Sequence, residues 1–143
     1  MRRRDETGSA LVELTWLGIL LLVPLVWVVV SVFEVQRGAF GVAGAARAAA
    51  RAYSLAPDDA SGRSRAQAAA RQVFADQGIP KAPVLAVRCT EPGLDGTCHS
   101  AGAVVEVTVA TRVDLPVLPA VLGRVPGFHL DGVHTVPYGT FRE

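Results

Sequence analysis

The residues from Leu14 to Phe33 form one long apolar run, which restricts the possible folds of this chain more than any other feature. No charged side chain lies between Glu13 and Glu34. The interval is about 20 residues, the length that a helix needs to cross the roughly 30 Å of hydrocarbon in a bilayer. A helix packed on a soluble core would carry a polar stripe at helical period, and this run has none. We therefore predict a membrane-spanning helix.

The charges around the run predict its orientation. Arg2–Arg4 precede it, and the positive-inside rule counts basic residues while largely ignoring acids such as Asp5 and Glu6. We expect a single pass through the cell membrane, with the N-terminus cytoplasmic and everything after Phe33 extracytoplasmic. The competing interpretation is a cleaved secretory signal, but the run is longer than the usual signal core of about 7–15 residues.

Glu13 lies at the edge of the run, and two interpretations of it are open. A carboxylate that enters hydrocarbon without a partner costs on the order of a few kcal/mol. In the first interpretation Glu13 ends the span and lies among the lipid headgroups. In the second its spacing matters, because it is the fifth residue counted from Ser9, and Ser9 follows Gly8 behind a short basic leader.

A basic leader, a glycine, four mostly apolar residues, a glutamate and a long apolar helix together resemble the start of type IV prepilins and pseudopilins. The stretch Gly8-Ser9-Ala10-Leu11-Val12-Glu13-Leu14 resembles in particular the start of the TadE-like minor pseudopilins of the tight-adherence (Flp/Tad) pilus system. The Ala/Arg-rich continuation after Phe33 and the ending His134–Arg142 also resemble that family.

This resemblance implies a function and a set of partners. A prepilin peptidase would cut between Gly8 and Ser9, and Glu13 would be needed for processing or assembly. The partners implied are that peptidase, other pilin-like subunits, the pilus assembly machinery and membrane lipid. Two alternatives stay open: a single-span envelope protein whose outer domain binds a partner unrelated to pili, and a small secreted protein released by signal peptidase.

Downstream of the span, the patterns predict an α+β fold with a long transmembrane helix that extends out of the membrane, a second helix and a small antiparallel sheet. Residues 34–54 are dense in alanine and continue the first helix. Arg63–Gln77 has the apolar spacing of a second helix, with Ser61 or Asp59 as its cap. We expect residues 1–8 to be a cytoplasmic leader, 9–55 a pilin-like helix and 56–143 a small extracytoplasmic domain.

Three segments have the alternation or composition of strands. Residues 84–89 are a short apolar stretch, and residues 103–113 alternate and are rich in β-branched side chains. A third strand is expected near His134–Phe141, where Pro137 confines it to an edge or a bulge. The apolar, proline-containing stretch Leu115–Gly123 is expected either to pack on the sheet as a short helix or to lie against the membrane surface.

Gly38, Gly41 and Gly44 recur every three residues and form a strip of small residues on the first helix. One interpretation is a weakened, flexible helix, because each glycine costs roughly 1 kcal/mol relative to alanine. The other is close helix–helix approach, which small residues permit.

Cys89 and Cys98 are the only two cysteines, and they flank the loop between two predicted strands. On the outer side of a membrane we expect them to form a disulfide, which would contribute roughly 2.5–3 kcal/mol in the chain-entropy model. A redox role does not fit a spacing other than Cys-x-x-Cys. A metal site that includes the adjacent His99 would need further ligands.

No catalytic motif and no cofactor motif is present in the sequence, so we predict neither an enzyme nor a cofactor. His129 and His134, with Asp131 between them, would make a metal pair in principle, but we expect a solvated turn there and predict no metal site. The formal net charge of +1 argues against a nucleic-acid binder, which would carry a basic patch.

Overall fold

The computed structural model describes residues 7–115 and 127–139 of the chain. Two helices are followed by three strands: α1 (Thr7–Ser54), α2 (Asp59–Asp76), β1 (Val84–Glu91), β2 (Val104–Asp114) and β3 (Gly127–Pro137). The strands form one antiparallel sheet in the order β1-β2-β3. This is the α+β architecture that the sequence predicts.

Helix α1 is a single helix of 48 residues that continues through Pro24. At 1.5 Å per residue it is about 72 Å long. The hydroxyls of its apolar run donate to carbonyls one turn earlier, Thr15 to Leu11 at 2.7 Å and Ser31 to Trp27 at 2.8 Å. These bonds satisfy the few polar side chains internally, as a lipid environment requires. The helix is long and apolar enough to cross a membrane and is compatible with a single-pass anchor.

The two halves of α1 have different surroundings. Residues 11–33, the apolar half of α1, lie mostly on the surface, whereas residues 38–53, the alanine half of α1, form the centre of the folded domain. Helix α2 packs along the alanine half, and both helices cover one face of the sheet. The core consists of Val42, Ala45, Ala46, Ala49, Ala50, Tyr53, Ala66, Ala70, Phe74, Val105, Val107 and Val109.

Strand β2 is the central strand, and its side chains are buried alternately. Its inward residues pair directly with inward residues of β3, for example Val109 with Gly132 and Val105 with Val136. The opposite face of the sheet is covered by no element among residues 7–115 and 127–139. Val84 and Val133 on that face are 68% and 54% exposed.

Helix α2 begins at Asp59, earlier than the predicted start at Arg63, and its N-cap is Asp58 rather than Ser61 or Asp59. The Asp58 carboxylate accepts hydrogen bonds from the backbone N–H of Ser61 at 2.8 Å and from the Ser61 hydroxyl at 3.0 Å. These bonds lower the pKa of Asp58, with the backbone bond as the main cause. Several capping residues stand in a row here, so the sequence pattern did not identify the correct one.

Strand β3 begins at Gly127 and ends at Pro137, so the prediction of a strand near His134–Phe141 placed it too late. Pairing with β2 determines the length of β3, because the two strands pair along the whole of β2. The first pair is Asp114 with Gly127, and the last is Val104 with Pro137. The predicted edge position is confirmed. His129, Asp131 and His134 lie in this strand, and the prediction of a turn there was wrong. Of the stretch Leu115–Gly123 only Leu115 lies within the described residues.

Candidate functional site

Gly8 and Ser9, the predicted processing residues, lie in the first turn of α1, and Glu13 lies one turn after Ser9. The Glu13 side chain is exposed and has no ion-pair partner among the residues that the structure describes. Cleavage after Gly8 and a role for Glu13 remain predictions.

The apolar half of α1 presents a continuous surface of large side chains. Leu14 and Leu20 are each 70% exposed and Trp16 is 68% exposed. Contiguous apolar surface of this extent marks contact with a membrane or with other proteins. Trp27 is the exception, because its side chain is partly buried and faces the same cleft as Leu115 and Phe128.

The glycine strip of α1 faces the rest of its own chain. A Cβ at Gly38 would lie 2.5 Å from Val113 Cγ2 and 2.7 Å from Leu130 Cδ1, and a Cβ at Gly41 would collide with Ile79. The glycines therefore permit close packing, but at Gly38 and Gly41 the close neighbour is the sheet or Ile79 and not a second helix, as the prediction of helix–helix approach required. Gly38 lies against the sheet, and Gly41 lies against the segment after α2. Gly44 lies against helix α2 itself.

Gly132 of β3 makes a further close approach that the sequence pattern did not indicate. A Cβ there would lie 2.7 Å from the carbonyl carbon and oxygen of Val42. Backbone atoms cannot move aside as a side chain can, so only glycine fits between β3 and α1 at this point. The available signal was a glycine inside a strand pattern, which often marks close backbone approach.

Cys89 and Cys98 form a disulfide, as predicted, with their Cα atoms 5.7 Å apart. The bond closes the loop between β1 and β2. Within that loop the Asp95 carboxylate accepts hydrogen bonds from the backbone N–H and the hydroxyl of Thr97, at 2.9 and 2.8 Å. The disulfide places the next residue, His99, over the junction of the two helices.

His99 joins three segments that are distant in sequence. Its Nδ1 lies 2.6 Å from Asp59 Oδ1, and its Nε2 lies 3.1 Å from the carbonyl oxygen of Tyr53. The Tyr53 hydroxyl donates to the same Asp59 oxygen at 2.5 Å. Both partners of the ring nitrogens are oxygen atoms of the protein. We call Tyr53, Asp59 and His99 the junction cluster.

The electrostatics of the junction cluster follow from burial and hydrogen bonding. The hydrogen bond from Tyr53 is the main cause that lowers the pKa of Asp59, and His99 adds to it. Burial, followed by the bond to Asp59, raises the pKa of Tyr53 well above its ordinary value. Tyr53 is 1% exposed and the His99 side chain 8%. The Asp59 side chain is 47% exposed while both rings are buried. The hydrogen bonds of the cluster tie the disulfide loop to the helix junction.

The metal interpretations find no support in the part of the chain that is described. Both ring nitrogens of His99 are engaged by protein acceptors. No group of three His, Cys, Asp or Glu side chains suited to a metal ion occurs among residues 7–115 and 127–139. His99 was predicted from the sequence only as a candidate metal ligand, because nothing in its local sequence connects it to Tyr53 and Asp59.

Comparison of the chain with protein-family models, with curated proteins and with solved structures found no match. The functional assignment therefore depends on the residues themselves and on their arrangement.

Proposed function

We propose that this chain is a TadE-like minor pseudopilin that acts in assembly of a Flp/Tad-type pilus. The leader of residues 1–8 is removed by a prepilin peptidase, and the mature chain begins at Ser9. The apolar half of α1 crosses the cell membrane with its N-terminus cytoplasmic, and the domain with its disulfide lies outside, where an oxidising environment preserves such bonds. The function is mechanical and requires neither a cofactor nor nucleic acid.

One observation carries this proposal most strongly. Helix α1 is a continuous helix, and the exposed side chains of residues 11–33 are apolar apart from Glu13 and Thr15. Such a surface suits a subunit that is stored in lipid and then packs with similar helices. Glu13 lacks an ion-pair partner among the described residues, and an acid in an apolar setting needs one. Cleavage before Ser9 creates an α-amino group, which on a neighbouring subunit supplies that partner.

The test is the identity of the first residue of the protein recovered from cell envelopes, measured by mass spectrometry. A chain that starts at Ser9 is the expected result. A chain that retains residues 2–8 would contradict processing, and a start well beyond residue 33 would indicate ordinary signal-peptide cleavage.

Substitution of Glu13 tests the assembly step separately. We expect Glu13→Gln to remain in the membrane fraction but to lose incorporation into pilus subassemblies, measured by crosslinking to other subunits. Glu34→Gln is the matched control, since Glu34 lies at the other end of the run and pairs with Arg37 at 2.5 Å within its own chain. Equal assembly of both variants would remove the proposed role of Glu13.

A second candidate function is a single-span envelope protein whose domain binds a partner unrelated to pili. The uncovered face of the sheet favours it, because Val84 and Val133 present apolar surface to the outside. This candidate predicts an unprocessed N-terminus and unchanged behaviour of Glu13→Gln, so the two experiments above distinguish it from a pseudopilin.

A further inference from the structure

Three exposed arginines follow one another along one side of α1. Arg47 and Arg51 are four residues apart and share a face of the helix. Leu55 continues that face, because its backbone N–H still donates to the Arg51 carbonyl at 3.1 Å. Arg65 of α2 donates from Nη1 to the Leu55 carbonyl oxygen at 3.4 Å, which places its guanidinium group beyond Arg51. We call Arg47, Arg51 and Arg65 the arginine ridge.

The arginine ridge has no carboxylate partner within the part of the chain that the structure describes. The ion pairs of the described residues include none of its three side chains. Arg47 Nε donates to the carbonyl oxygen of Ala43 at 3.3 Å. Each guanidinium carries five N–H donors, so most of them remain for an external acceptor. Like charges four residues apart on a helix repel each other, and the ridge therefore favours an anionic partner.

The loop that the disulfide closes carries the opposite charge. Glu91 and Asp95 are exposed, and neither forms an ion pair with a described residue. The backbone N–H and the hydroxyl of Thr97 hold the Asp95 carboxylate in place. A loop that is already fixed by a disulfide and by local hydrogen bonds has little conformational freedom to lose on binding.

The ridge and the loop lie at the same level of α1 but on opposite sides of it. His99 of the loop lies 3.1 Å from the Tyr53 carbonyl oxygen, and the centroids of the two rings are 4.6 Å apart. Tyr53 comes two residues after Arg51, so their side chains point about 200° apart around the helix. The body of α1 therefore separates the loop from the ridge within one chain.

The position of the ridge along α1 excludes lipid headgroups as its partner. On the proposed span the hydrocarbon ends at Phe33, and Arg51 lies 18 residues beyond it, about 27 Å along the helix axis. The headgroup layer extends only roughly 5–8 Å beyond the hydrocarbon. Two copies anchored side by side in one bilayer hold their domains at equal height, so the loop of one copy can face the ridge of the next.

We propose that the arginine ridge of one copy binds the disulfide loop of a second copy, with Glu91 and Asp95 on the guanidinium groups of the ridge. Three cations against two carboxylates make the two surfaces complementary in charge. Because the contact joins two different surfaces, each copy keeps one free ridge or loop, and the contact can repeat along a row of copies. It rests on the membrane span of the proposed function and requires neither leader cleavage nor a role for Glu13.

Two complementary variants of the full chain test this contact. The ridge variant, Arg51→Glu/Arg65→Glu, makes the ridge acidic. The loop variant, Glu91→Arg/Asp95→Asn, makes the loop basic and keeps a side-chain oxygen at position 95 as the acceptor for Thr97. The chains are placed in vesicles of phosphatidylcholine, whose headgroup has no net charge, and near-UV circular dichroism checks that each variant is folded.

A photocrosslinker at the loop tip supplies the measurement. Leu94 is 93% exposed, and Leu94→p-benzoylphenylalanine should give crosslinked dimers of the otherwise unmodified chain, with the second copy labelled beside the ridge. Each variant alone should lower the yield of dimers about tenfold or more, because like charges then face each other. A mixture in which only the loop variant carries the crosslinker should restore the yield, since a basic loop then meets an acidic ridge.

Arg71→Glu/Arg88→Glu is the matched control. It makes the same change in charge on a different face of α2 and on the outer sheet face, and should leave the yield unchanged. Absence of dimers in the unmodified chain, labelling away from the ridge, or an equal loss in the ridge variant and the control would overturn the proposal.

A mixture that fails to restore the yield would overturn the second copy as the partner and would indicate a different anionic molecule on the ridge. An unprocessed N-terminus would contradict the pseudopilin function but not this contact, so the two proposals fail separately.

Discussion

The apolar half and the alanine half of α1 belong to one uninterrupted helix, yet they use their side chains in opposite ways. Residues 11–33 are mainly leucine and valine, and most of these large side chains are exposed. Residues 38–53 are mainly alanine and glycine, and Ala45, Ala46 and Ala49 are completely buried. In a soluble protein the larger hydrophobic residues would be inside.

On the proposed membrane span, the difference follows from what each half contacts. Lipid is itself apolar, so bulky apolar residues are stable on the lipid-facing surface of a membrane helix. The alanine half instead lies against α2 and two strands, and small side chains let those backbones approach it closely. The hydrophobicity of a segment therefore predicts whether it can be surrounded by lipid. The size of its side chains predicts how closely other parts of the protein can pack against it.

The largest effect is expected from a side chain at the closest backbone contact of the alanine half. Gly132→Val would push a side chain into the backbone of Val42 and Ala43, and overpacking of this kind costs about 3 kcal/mol. The measurement is guanidinium unfolding of the full chain in mild detergent, followed by near-UV circular dichroism. Gly18→Ala is the control in the apolar half, where an added Cβ has no atom within 4 Å. If both substitutions destabilise the domain equally, the contrast between the two halves is wrong.

A slightly smaller effect is expected from removal of the disulfide, which belongs to the domain and not to the span. Cys89→Ser/Cys98→Ser opens a loop with a sequence separation of 9 and should lower the free energy of unfolding by roughly 2.5–3 kcal/mol. A reductant should reproduce the loss in the unmodified chain and do nothing to the variant. The α-helical signal of the apolar half, read by far-UV circular dichroism, should persist after the domain unfolds; its simultaneous loss would mean that the halves are coupled.

The smallest effect is expected at the junction cluster and depends on pH. Tyr53→Phe removes one hydrogen bond and should cost about 1 kcal/mol at neutral pH. In the unmodified chain the folded pKa of Tyr53 is raised, so its contribution is complete below the ordinary value of 10.0 and is lost as the pH rises above it. The folded pKa of Asp59 is lowered, so its contribution is present above 3.8 and is lost as the pH falls below that value.

The free energy of unfolding, measured across the pH range, checks both the alkaline and the acid part of this dependence. Tyr53→Phe should abolish the fall in stability above pH 10.0 and weaken the fall in acid. Tyr138→Phe is the control, since it removes the hydroxyl of the other ring beside His99, with ring centroids 5.3 Å apart, and leaves Tyr53 intact. An alkaline fall that survives in Tyr53→Phe would mean that a different group causes it.

Much of the fold was predictable because its signals are local. The uncharged run from Leu14 to Phe33, the alanine-rich continuation of the helix and the alternation in β2 each lie within one stretch of sequence. The pairing of Cys89 with Cys98 was predictable because there were two cysteines and one loop between them. Gly8, Ser9 and Glu13 were identified by their spacing together with the resemblance to a known family, and their roles stay predictions.

The sequence by itself thus determined which part of this protein can enter a membrane, since hydrophobicity over about 20 residues is a property of one segment. Only the tertiary structure decided where β3 begins, why Gly132 must be glycine and how His99 reaches Tyr53 and Asp59. These features depend on contacts between residues far apart in the chain, and the spacing of residues along a sequence carries no information about which distant segments will meet.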